Sequence, residues 1–202
     1  MKTFKSTVTT ELICSDDGLY TYEVIKNLVG VEGECAYIIS LYPTRNESNI
    51  FSNDSTLNYL VTHMTDVGIN ELHIINLYSK VVNGKMSVKG LQIDVDNMKY
   101  IEEIMGSKKF QSSKCIISWG NSFQTSTAIT ESKKKIFNMF LERNPKNKLY
   151  QLCLVGKNLN SDVAPHPLYL GINGSNLKWG LKEFNINVND SPNVKNKISN
   201  KK

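Results

Sequence analysis

The chain has 202 residues, 40% of them hydrophobic, and a formal net charge of +5, which is enough apolar material for one ordinary globular core. No apolar run approaches the roughly 20 residues of a membrane helix, and no apolar stretch follows the basic opening at residues 1–7, so the expectation is a cytoplasmic chain with neither membrane span nor leader. In residues 185–202 Lys195, Lys197, Lys201 and Lys202 stand against Asp190, which leaves only +2 for everything before them, and a body so nearly neutral is a poor match to a phosphate backbone.

Residues 4–13 and 19–28 read as two strands around the turn signal Ser15-Asp16-Asp17-Gly18, an N-terminal hairpin. Cys35 to Leu41 is a continuous apolar run of the kind that suits a strand covered on both faces. Asp54 or Ser55 then caps a helix whose Leu57, Leu60, Val61 and Met64 form one stripe, ended by Gly68. Leu72 to Leu77 is a second buried strand, Asp94 to Met105 a second amphipathic helix, and Cys115 to Trp119 a third strand. Gly120-Asn121-Ser122 leads into a long helix stopped by Asn144-Pro145, and Leu149 to Val155 is a fourth strand. This alternation predicts one α/β domain over residues 1–184, with a central, mostly parallel four-stranded sheet between helices and the hairpin as an addition. Residues 185–202 are polar and read as a loose tail.

Cys14, Cys35, Cys115 and Cys153 show no metal-ligand spacing, and three of them sit in apolar strand-like runs, where a free thiol behaves as a small hydrophobe. His63, His73 and His166 are far apart in sequence, so no metal site and no cofactor is expected. No P-loop, G-x-G-x-x-G, G-x-S-x-G or H-E-x-x-H occurs, which removes the usual support for nucleoside triphosphate hydrolysis, Rossmann redox chemistry and serine hydrolysis.

In open α/β sheets, ligands bind beyond the carboxyl ends of the strands, and the least generic residues fall there. Tyr42-Pro43-Thr44-Arg45 follows the first buried strand, and is either an ordinary turn or a stiff loop aiming Arg45 into a cleft. Asn76 ends the second. Its amide can serve a structural bond or read a base edge. Trp119-Gly120-Asn121 ends the third, as core packing plus a helix cap, or as a helix start offered to an anion. Lys157 follows the fourth, and Pro165-His166-Pro167-Leu168-Tyr169 clamps a histidine between two prolines in a loop.

Taken in order, these strings resemble a bacterial and phage family of unknown function. Its pattern is L-N-P-S-T, D-D-P-T, N-L-F, W-G and H-P-L-Y-L, represented here by Leu41-Tyr42-Pro43-Thr44, Asn53-Asp54-Ser55-Thr56, Asn76-Leu77-Tyr78, Trp119-Gly120 and His166-Pro167-Leu168-Tyr169-Leu170. More distantly, the order is similar to the uracil-DNA glycosylase superfamily. That resemblance implies a three-layer fold, an Asn76 that reads a base edge and a His166 that faces a carbonyl oxygen or the sugar. Two departures stand out. Tyr42 occupies the place of an Asp or Asn before the proline, and a phenol is a poor general base at neutral pH. Leu168-Tyr169 replaces a phosphate-gripping Ser-Pro. The resemblance thus implies an inherited pocket rather than the reaction.

The expectation is a binding protein for a nucleobase- or nucleotide-type small molecule, with Tyr42, Thr44, Arg45, Asp54, Asn76, Trp119, Asn121, Lys157, His166 and Tyr169 as the site and no catalytic residue assigned. Nucleic acid itself is the weaker partner, no membrane partner is expected, and oligomeric state is left open. The AT-rich coding signature of the composition suits a phage protein that sequesters a nucleotide immune signal. The alternatives are a nucleobase-excising glycosylase or other N-glycosidic hydrolase, and a non-catalytic protein-interaction domain.

Overall fold

The computed structural model describes residues 1–157 and 164–186. Seven strands form one sheet among them: β1 (Thr7–Cys14), β2 (Thr21–Val29), β3 (Glu34–Ser40), β4 (Ile69–Asn76), β5 (Lys114–Ile117), β6 (Leu149–Leu154) and β7 (Trp179–Glu183), in the order β1-β2-β4-β3-β5-β6-β7. The helices are α1 (Ser55–His63), α2 (Val95–Gly106), α3 (Lys108–Gln111), α4 (Thr127–Arg143) and α5 (Pro167–Gly174).

The α/β class agrees with the sequence, but the four-stranded, mostly parallel sheet with an appended hairpin is corrected to a seven-stranded mixed sheet. Strands β4, β3, β5 and β6 are parallel neighbours. The hairpin is not an addition to that sheet. Its β2 pairs antiparallel with β4, Val24 opposite Ile74 and Ile25 opposite His73. On the far side β7 pairs antiparallel with β6. Strands β2 and β7 both pair with backbone edges that would otherwise lie open beside the parallel core. The tail expected over 185–202 lies almost entirely outside the described residues.

Sequence chemistry explains the elements. Asp54 caps α1 by accepting from Leu57 N at 2.8 Å, and Asp94 caps α2 by accepting from Asn97 N at 3.1 Å. The long helix begins later than Asn121 suggested, with Ser126 as its cap. Helices α1 and α5 cover one face of the sheet, packing Leu57, Leu60 and Leu170 on Ile38, Ile74 and Ile116. Helices α2, α3 and α4 cover the other, packing Ile101, Phe110 and Phe137 on Ile39, Ile75 and Ile117. From β3 the chain crosses through α1 to β4 on one side, whereas from β5 it crosses through α4 to β6 on the other. The connections therefore diverge between β3 and β5, and a crevice is left at their carboxyl ends.

Candidate functional site

A cavity of about 430 Å3 occupies that crevice on the α1 side of the sheet, within the ordinary size range of small-molecule sites. Tyr42, Thr44, Arg45, Asp54, Asn76, Trp119 and His166 all line it. Val24, Leu57, Leu60 and Ile74 supply an apolar wall.

Its polar end is set by strand register. Ser40 and Asn76 are the last residues of β3 and β4 and are direct partners across the parallel pair, so their side chains stand side by side on one face. Asn76 is 3% exposed. Its backbone carbonyl accepts from Asn97 Nδ2 at 2.8 Å, and no hydrogen bond to its side-chain amide is found among the described residues. Ser40 is 6% exposed, and its Oγ has no partner among the described residues. Sequence reading missed Ser40. The available signal was a small polar side chain near the end of the apolar run Cys35–Leu41, the counterpart of Asn76 in its own run.

His166 arrives from the other side and is fixed by three contacts. Ser118 Oγ donates to Pro165 O at 2.9 Å, Gly120 N donates to Ala164 O at 3.0 Å, and Gly120 takes φ +67° directly beneath the His166 Cβ. His166 is also the cap of α5, its Nδ1 accepting from Leu168 N at 3.2 Å. A ring whose Nδ1 accepts must carry its proton on Nε2 when neutral, so the nitrogen left for the cavity is a donor. Burial lowers the His166 pKa below its ordinary value, partly offset by the Asp54 charge, and this favours the neutral ring.

Other lining groups are already committed. Asp54 uses Oδ1 to cap α1 and Oδ2 to accept from Thr44 Oγ1. Arg45 is buried, and its Nη1 donates to Asn49 O at 2.7 Å and Ser52 Oγ at 3.2 Å, tying down the 46–52 loop. Tyr42 packs against the core and donates its hydroxyl to Gly84 O at 3.4 Å. Trp119 is mainly core, edge-on to Phe137 with ring centroids 5.4 Å apart. Three expected residues do not join the lining. Asn121 is exposed in the turn before α4, Lys157 donates to Asn173 O at 3.0 Å, and Tyr169 is 52% exposed on α5.

A second polar cluster lies on the opposite face of the sheet. His73 is 3% exposed and stacked on Tyr37, and its Nδ1 is 2.5 Å from Glu23 Oε1 and its Nε2 3.1 Å from Glu71 Oε1. Burial works against its charge, but hydrogen bonds with Cys35 and Glu23 and the Glu23 charge push its pKa up to about 9.

Fold and site thus define an α/β domain with a small-molecule-sized cavity at the carboxyl ends of its parallel strands. The chain belongs to the family described as Protein of unknown function (DUF1643), whose model matches residues 25–168. No curated protein and no solved structure matches the chain. Among the described residues, no helix is long and apolar enough to cross a membrane.

Proposed function

We propose that the protein binds an uncharged nucleobase or nucleoside moiety of a small molecule in the crevice between β3 and β5. The observation that carries this reading is that Ser40, Asn76 and His166 line one cavity, where the buried Ser40 Oγ has no partner among the described residues and His166 Nδ1 is already used by Leu168 N, so that a neutral ring carries its proton on Nε2. An amide offers a donor and an acceptor at the spacing of a base edge, a hydroxyl serves in either sense, and a ring N–H suits a carbonyl oxygen. The apolar wall accommodates a flat ring. Arg45 is the one cation among the described lining residues, and its Nη1 is occupied. Both Asp54 oxygens hold structural bonds, and Tyr42 stands where a hydrolytic residue would be needed, so binding is favoured over N-glycosidic hydrolysis.

The test is calorimetric titration with a panel of nucleobases, nucleosides, nucleotides, cyclic dinucleotides and ADP-ribose derivatives. A panel member should bind the unmodified protein, and Asn76→Ala should weaken it by about 1–3 kcal/mol, roughly tenfold to a hundredfold. Absence of binding across the panel, or equal binding by Asn76→Ala, contradicts the reading.

A further inference from the structure

We propose that Cys35, Glu71 and His73 form a binding site for a divalent zinc-class cation on the α2–α4 face of the sheet. The Cys35 Sγ, a Glu71 carboxylate oxygen and a His73 ring nitrogen lie within 4.8 Å of one another. Sheet register assembles them: Cys35 of β3 is the direct partner of Glu71 of β4, and His73 is two residues further along the same strand, so all three side chains share one face. Sequence spacing could not show the set, because Cys35 and His73 are brought together only by parallel pairing.

The donor types are those of zinc. Thiolate, imidazole and carboxylate bind it at about 2.0–2.3 Å, so a tetrahedral set has its donors about 3.3–3.8 Å apart, and closure from 4.8 Å takes a shift of about 1 Å. Three protein ligands leave a fourth position for water.

The surroundings resemble the outer support of a metal-bound histidine. His73 Nδ1 is held by Glu23 Oε1 at 2.5 Å, which leaves Nε2 on the side of Glu71. Glu23 is itself fixed by Tyr100 Oη donating to Oε2 at 2.7 Å. A carboxylate behind the non-ligating nitrogen orients the ring and raises its basicity. Lys109 Nζ donates to Glu71 Oε1 at 2.6 Å, and a bound ion would replace this half-exposed ammonium. The site lies across the sheet from the nucleobase cavity, and the two stand or fall separately.

The experiment uses the full chain, stripped with chelator and titrated with Zn2+ by calorimetry and with Co2+ by absorption spectroscopy. One ion per chain and a thiolate-to-Co2+ charge-transfer band are expected. Cys35→Ser should abolish the band, and Glu71→Gln and Glu23→Gln should each weaken Zn2+ by at least about tenfold. The unmodified protein decides the case even if a variant fails to fold, since absence of stoichiometric Zn2+ binding, or Co2+ binding without the thiolate band, overturns the proposal. Unchanged Zn2+ affinity in folded Cys35→Ser and Glu71→Gln overturns it equally.

Discussion

Gly120 and His166 meet closely: a Cβ at position 120 would lie 3.1 Å from the His166 Cβ, so the neighbour would have to give by a few tenths of an ångström, on a backbone at φ +67° that itself favours glycine. The Trp119-Gly120 and Pro165-His166 strings are therefore two halves of one junction, joined by the Gly120 N–H to Ala164 carbonyl bond. Gly120→Ala should cost about 1–2 kcal/mol from the left-handed backbone alone and push the His166 segment outward. Thermal unfolding should show a melting temperature lower by several degrees, at roughly 2–4 °C per kcal/mol for a chain of this size. Calorimetry should show weaker ligand binding than the stability loss alone produces. An unchanged melting temperature would mean that the junction is looser than described.

The His166 ring links the same junction to pH. Its folded-state pKa is lowered below the ordinary value of 6.5, so the unfolded chain binds more protons around that value and stability rises with pH. The contribution is fully present above about pH 6.5 and is lost as pH falls through the lowered folded value. Protonation also turns Nδ1 from acceptor to donor and breaks the cap to Leu168 N. His166→Asn keeps a capping oxygen but cannot titrate. Denaturant unfolding at pH 7.5 and pH 5.5 should show a smaller loss of stability on acidification for this variant than for the unmodified protein. Equal losses would remove His166 as the titrating group.

How much of this was legible in the sequence depends on whether the signal was local. Asp54 as a cap, the helix opening at Asp94, the apolar run of β3 and the stop at Asn144-Pro145 are encoded by neighbours, and the elements lie close to where the residues place them. Strand partnership is not local. Nothing in Thr21–Val29 says that it pairs with β4, and in the five residues of β7 only Trp179 and Leu181 alternate toward the core, too short a pattern to read as a strand without its partner. The cavity shows the same division. Asn76 and His166 were legible as polar residues at strand ends, and the structure brings them to one cavity. Asn121, Lys157 and Tyr169 were chosen on the same rule and lie outside its lining, because a residue's place after a strand does not fix which way the following turn carries it. Arg45 lines the cavity, but its Nη1 is used on the loop that follows it, while its buried Nε has no partner among the described residues.

That use of Arg45 makes a prediction opposite to the phosphate-binding role its sequence position suggests. Arg45→Ala removes bonds to Asn49 O and Ser52 Oγ, and hydrogen bonds from a charged group contribute about 1.5–3 kcal/mol. Stability should fall by that order, and affinity should fall for nucleoside and nucleoside monophosphate alike. The ratio of the two affinities, measured by calorimetry, should match that of the unmodified protein. A selective loss for the monophosphate would show that Arg45 holds the phosphate after all.

Ser40 separates stability from binding. Its hydroxyl is buried at 6% exposure without a partner among the described residues, and an unsatisfied buried hydroxyl costs about 1–3 kcal/mol. The oxygen contributes little volume, so Ser40→Ala opens only a small space beside Asn76. The ligand-free variant should therefore unfold at an equal or higher temperature than the unmodified protein. With ligand present the order should reverse, because a base that bonds the hydroxyl loses that bond in the variant while the fold does not. The stabilisation conferred by a saturating ligand follows its affinity, so the ligand-induced shift in melting temperature should be smaller for Ser40→Ala. A purely structural serine would give the other pattern, a lower melting temperature without ligand and an unchanged ligand shift. Thermal unfolding of both proteins, with and without the tightest-binding member of the panel, distinguishes the two.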